Sequence, residues 1–102
     1  MIRKSAIITG STSGIGLSIA HKLAADGYNI VLNGFADSAL INKLIQEFST
    51  NYDTRCIYHP ADISKPEEIK ALITEAARVF GSIDILINNA GIQHVAPIDE
   101  FP

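Results

Sequence analysis

Apolar positions along the chain alternate between two periods. Short runs rich in β-branched residues lie at 5–9, 29–33, 55–58 and 83–88, the pattern of strands. Between the first two, Ile15, Ile19 and Leu23 recur at steps of four in a helix running to Asp26, and Gly27 is placed to end it in a left-handed conformation. Leu40, Ile41, Leu44, Ile45 and Phe48 make the stripe of a second helix over 38–49. The third helix has the fullest punctuation: Ser64 as cap, Glu67 completing a capping box, Pro66 in the first turn and Gly81 at the end. Its stripe is Ile69, Leu72, Ile73, Ala76, Ala77 and Phe80. The order β-α-β-α-β-α-β predicts a doubly wound parallel α/β sheet with right-handed crossovers and helices on both faces.

One strand looks misplaced in a chain of this length. The run Ile83-Asp84-Ile85-Leu86-Ile87 is apolar enough for a central parallel strand, yet only 90–102 follows it, with Pro97 and Pro102 and no further periodic segment. As an uncovered edge it would be a liability. The expectation is that the 102 residues are the N-terminal part of a larger protein and form one domain.

Composition narrows the class without naming a chemistry. With 47% hydrophobic and 19% charged residues the chain reads as globular, and no apolar run approaches the ~20 residues of a membrane span. Few apolar residues follow Arg3 and Lys4 before the glycines, so no signal-peptide core is read and a cytoplasmic location is expected. A formal net charge of −3 offers no basic footprint for nucleic acid or an acidic membrane surface. The single cysteine, Cys56, lies in a strand-like run and is expected to be buried and inert.

The chemistry gathers after the first strand. Thr9-Gly10-Ser11-Thr12-Ser13-Gly14-Ile15-Gly16 places three glycines between a strand and a helix, where the helix end offers unpaired N–H groups and a positive dipole end. Glycines permit the turn and let a pyrophosphate approach the main chain, while Ser11, Thr12 and Ser13 add hydroxyl donors. The spacing Gly-x-x-x-Gly-x-Gly differs from the common dinucleotide fingerprint, and no Gly-Lys-Ser/Thr ending follows, which argues against phosphoryl transfer.

TGSTSGIG at 9–16, Asp62 after the third strand and Asn88-Asn89-Ala90-Gly91 after the fourth resemble the short-chain dehydrogenase/reductase family, whose signatures TGxxxGxG and NNAG stand in those places. Within it, IVLNGF at 30–35 and NNAGIQHVAPIDEFP at 88–102 are similar to the bacterial D-3-hydroxybutyrate dehydrogenases. The resemblance runs the length of the chain but covers less than half of a typical member. It implies a Rossmann-type fold, with Gly10, Thr12, Gly14 and Ile15 lining the phosphates and Gly16 in the same turn. It further implies Phe35 beside the adenosine, Asp62 and Ile63 at the adenine, and Asn89, Ala90 and Gly91 at the ribose next to nicotinamide. A carboxylate such as Asp62 is an acceptor suited to the adenine amino group. Asn88 reads as structural, an amide bridging backbones at a strand end.

The cofactor follows from charge as well as from resemblance. NADP sites commonly present a cation to the 2′-phosphate, and NAD sites an acidic residue to the 2′-hydroxyl after the second strand. Asn33-Gly34-Phe35-Ala36 is neutral and Ser13 is not basic, so a dianionic phosphate would go unpaired. NAD is expected. The resemblance implies a small-molecule partner, 3-hydroxybutyrate or acetoacetate, with Gln93 donating to its carboxylate, and a homo-oligomer, a tetramer by family likeness. His94, His21 and His59 are read as packing or surface residues, and the three have no metal-ligand spacing.

Catalysis is expected to lie elsewhere. The family's proton donor is a Tyr with a Lys four residues later, plus a Ser. Here Tyr28, Tyr52 and Tyr58 are followed at that distance by Leu32, Cys56 and Asp62, so no catalytic residue is assigned within 1–102 and the chain alone is expected to be inactive. Another short-chain reductase, acting on a 3-oxoacyl carrier protein or a sugar, and a non-catalytic dinucleotide-binding module remain the alternatives.

Overall fold

The computed structural model describes residues 3–89. Seven elements follow one another: β1 (Ser5–Ile8), α1 (Gly14–Ala25), β2 (Asn29–Asn33), α2 (Ser38–Asn51), β3 (Cys56–His59), α3 (Pro66–Phe80) and β4 (Ile85–Ile87). All strand pairs are parallel, in the order β3-β2-β1-β4. Residues 5–8 and 30–33 are buried throughout, which is why 6–8 and 30–32 read as continuous apolar runs. β4 begins where the Asp84 carboxylate accepts from the Ser5 N–H at 2.9 Å.

Alternating residues of the central strands point into two separate cores. Ala6, Ile8, Ile30 and Leu32 pack with Ala20 and Ala24 of α1 and Leu44 and Phe48 of α2. Ile7 and Val31 face the other way, onto Leu72 and Ala76 of α3. The expected doubly wound arrangement is therefore present: α1 and α2 cover one face, α3 the other.

Two local readings need correction. On α1 the buried face is Gly16, Ala20 and Ala24, while Ile15 is 65% exposed and Ile19 and Leu23 pack only at the margin. The small residues win because they let the helix axis approach the sheet closely, and the branched residues are turned to its flank. At α3 the capping box does not form: Lys65 occupies the cap position, and the Ser64 hydroxyl and N–H both donate to Asp62 Oδ1, at 2.7 and 3.0 Å. An Asx-type turn has captured the serine that the pattern assigned to the helix. On α2, Asp37 supplies the cap instead, accepting from the Leu40 N–H at 2.8 Å.

Cys56 lies in the α1–α2 core, 8% exposed, and burial pushes its thiol from an ordinary 9.0 up to about 12. A folded-state pKa above the unfolded value gives stability that is whole below pH 9 and is lost as pH rises toward 12, because the unfolded chain ionises first. The slope contributed should reach about 1.4 kcal/mol per pH unit in that window. Urea melts at pH 8 to 11 should show it in the parent and lack it in Cys56→Ala. Parallel pH dependences in the two proteins would refute the assignment.

Candidate functional site

The strand C-termini bring the β1–α1, β2–α2 and β3–α3 connections to one edge of the sheet. In the first, Gly10 and Gly14 have φ of 61° and 60°, the left-handed region that favours glycine. Ser13 stands at the α1 cap with an extended backbone and makes no side-chain capping bond, and the first turn of the helix carries no acidic residue. The Leu17 N–H is bonded to the Ser13 carbonyl, so the N–H groups of 14–16 form the open end of α1. Nothing lies within 4 Å of where a Gly14 side chain would begin. An uncapped, unshielded helix end under open space is a fit for an anion.

Not every hydroxyl of the turn faces outward. Ser11 is fully buried, its hydroxyl donates to the Ile8 carbonyl at 2.6 Å, and its N–H donates to the Asn33 carbonyl at 2.6 Å. Ser11 therefore builds the turn, and its reading as a hydroxyl donor to a ligand is corrected. Thr12 is also buried, packed against Gly34. Ser13, Gly14 and Ile15 are exposed.

Asn89 and Asn88 tie β4 to this turn. The Asn89 amide, buried, donates to the Gly10 carbonyl at 3.0 Å, and Asn88 Oδ1 accepts from the Thr9 hydroxyl at 3.1 Å. Asn88 thus joins β4 to the turn through a side-chain bond to Thr9 rather than by bridging backbones, and Asn89 has a structural bond of its own. In the third connection Asp62 is half-buried and exposed enough to reach a ligand. The Ser64 hydroxyl, then its N–H, and the Lys65 charge hold the Asp62 carboxyl below its ordinary range, so it stays an ionised acceptor at neutral pH. Ile63 beside it is half-buried, and Phe35 in the second connection is 80% exposed. Ala90, Gly91, Gln93 and His94 lie outside the described residues.

The sequence reading passed over Asn33 as merely neutral. Its side chain, 2% exposed, donates to the His59 and Ala61 carbonyls at 3.0 Å each, and its Oδ1 accepts from the Gly10 N–H at 3.4 Å. The neighbouring Gly34 carbonyl accepts from the Tyr58 hydroxyl. The signal available was an amide directly after the apolar run Ile30-Val31-Leu32, at the C-terminal end of β2. A groove of about 610 Å³ runs along α1 from Gly14, lined mainly by the apolar side chains of Ile15, Ile19, Leu23 and Ile87, with Ser18 and Lys22 as its polar members.

Residues 4–102 match the family model described as short chain dehydrogenase. The chain belongs to that family. Over 99 residues it is 52% identical to a D-beta-hydroxybutyrate dehydrogenase of Cupriavidus necator, covering 97% of this chain and 38% of that relative. A diacetyl reductase of the (S)-acetoin-forming kind from Staphylococcus epidermidis is 41% identical over 98 residues, covering 96% and 37%. Among solved structures, L-sorbose reductase from Gluconobacter frateurii, complexed with NADPH and L-sorbose, superposes with a TM-score of 0.80 at 33% identity. That match covers 100% of this chain and 38% of the other. The short-chain dehydrogenase assignment establishes an oxidoreductase family with a Rossmann-like fold, and the chain spans well under half the length of these relatives. Among the described residues, no helix is long and apolar enough to cross a membrane.

Proposed function

We propose that residues 1–102 are the N-terminal, cofactor-binding portion of an NAD-dependent oxidoreductase that interconverts D-3-hydroxybutyrate and acetoacetate. The observation that carries the cofactor reading is the open α1 end beneath the glycine turn, with Gly14 leaving space where a pyrophosphate would sit. The 52% identity to a hydroxybutyrate dehydrogenase supports the substrate.

In this reading the N–H groups of 14–16 and the Ser13 hydroxyl hold the pyrophosphate. Asp62 accepts from the adenine amino group, Ile63 and Phe35 flank the adenosine, and Asn89, Ala90 and Gly91 meet the ribose beside nicotinamide. Gln93 donates to the substrate carboxylate. The nicotinamide ring, when bound, supplies the hydride chemistry. Acid–base groups are assigned outside the 102 residues, since none of the three tyrosines has a lysine four residues on. The isolated chain is then expected to turn over no substrate. The whole protein is read as a cytoplasmic homo-oligomer, a tetramer by family likeness.

NAD is preferred over NADP because 33–36 carries no cation and the next charge in that connection, Asp37, is negative. The protein as its gene encodes it should use NADH over NADPH by at least about tenfold in kcat/KM, the effect of roughly 1.4 kcal/mol from an unpaired phosphate. Equal efficiency would overturn the cofactor choice. A second reading, reduction of a small diketone, is favoured by the 41% identity to the diacetyl reductase. A panel of 3-hydroxybutyrate, acetoin, a 3-oxoacyl thioester and a sugar separates these.

A further inference from the structure

The three connections at the sheet edge come from different parts of the chain, yet a dinucleotide must meet two of them at a fixed separation. The pyrophosphate seat is in the first, and the adenine wall at 62–63 is in the third. We propose that Asn33 is the positioning residue that sets this separation, an inference that rests on the dinucleotide reading above.

The argument is one of chemistry and count. A side-chain amide has two N–H donors and a carbonyl acceptor. Asn33 gives its donors to two carbonyls of the 59–61 segment and takes the Gly10 N–H at its oxygen. Its main-chain carbonyl accepts from the Ser11 N–H, and its own N–H donates to the Ser11 hydroxyl at 3.0 Å. One residue at the end of β2 thereby joins the glycine turn to the segment leading into Asp62. Aspartate has no donor for the two carbonyls, glutamine is a methylene too long, and an apolar residue would strand both carbonyls in a buried place. At 2% exposure Asn33 itself does not meet the ligand, so its influence passes through the loops it ties.

A ligand that spans both loops should feel the loss of this tie, and a ligand that touches one should not. In the protein as its gene encodes it, Asn33→Ser should weaken NADH by about tenfold or more, while adenosine, which lacks the pyrophosphate, stays within about twofold. Asn33→Asp should behave like Asn33→Ser. Phe48→Leu, in the core of α2, serves as a control for general destabilisation and should leave the ratio of NADH to adenosine affinity unchanged. Ser11→Ala removes only the hydroxyl links to Asn33 and Ile8 and repeats the test more mildly, at about threefold on NADH alone. Equal losses for NADH and adenosine, or a Phe48→Leu loss matching that of the Asn33 variants, would overturn the proposal. If the unsubstituted protein binds no NADH, the dinucleotide reading falls and this proposal with it. If it binds and the Asn33 variants bind as well, only the positioning role is lost.

Discussion

Replacing Gly16 by alanine is expected to destabilise the fold by about 2 kcal/mol and to weaken dinucleotide binding by tenfold or more, although alanine is the better helix former. A Cβ built on Gly16 would stand 2.3 Å from the Gly10 carbonyl oxygen, 2.9 Å from its carbon and 2.5 Å from the Asn89 amide nitrogen. Two of those atoms are backbone, and the third is held by its own bond to Gly10. None can swing aside as the end of a long side chain could. Overpacking of this kind costs about 3 kcal/mol, against which the gain in helix propensity returns about 1. The site suffers with the fold, because α1 could relieve the clash only by lifting its first turn away from β1 and Asn89.

Gly14→Ala is the instructive contrast. It has the less ordinary backbone, at φ 60°, but open space around the missing side chain. It should lose only about 1 kcal/mol in backbone strain. Thermal melts and NADH titrations on both variants test the ranking. A Gly16→Ala protein as stable as Gly14→Ala would show that close packing is not what Gly16 provides.

The difference between these two glycines marks where sequence reading ends. Three glycines after the first strand marked a candidate anion-binding turn, and the alternating periods identified the doubly wound sheet. Those features are local, carried by residue type and spacing. That Gly16 is squeezed against Gly10 and Asn89 depends on a residue far along the chain folding back beside the turn. Asn33 is the same case: its type was visible, but its side-chain partners come from the glycine turn, the end of β3 and the connection that follows it. On α1 the large residues Ile15, Ile19 and Leu23 drew the eye to the wrong face, since periodicity finds an apolar stripe without weighing close approach by Gly16, Ala20 and Ala24. Ser64 misled for a similar reason, because Asp62 competes for its hydroxyl and two adjacent capping devices cannot both use one serine.

The largest loss of stability should come from a residue outside the site. Phe48→Ala is expected to destabilise the protein by about 3–5 kcal/mol while leaving NADH affinity, measured where the variant is still folded, within about twofold. Phe48 is fully buried, and the His21 ring of α1 stacks on it with centroids 4.4 Å apart and planes 17° from parallel. Tyr52 leans on both rings, its hydroxyl 2.8 Å from His21 Nδ1. Truncation opens a cavity between two helices, strips His21 of its stacking partner and leaves the His21–Tyr52 contact without the ring that supports it. The site is spared by geometry: Phe48 follows the Asp37 cap by eleven residues, about 16 Å along α2, so the cavity opens at the helix end remote from the three connections. Urea unfolding and NADH titration of the same preparation decide the matter. A marginal change in stability, or a fall in affinity as large as that of Gly16→Ala, would mean that α2 is coupled to the site through its far end as well.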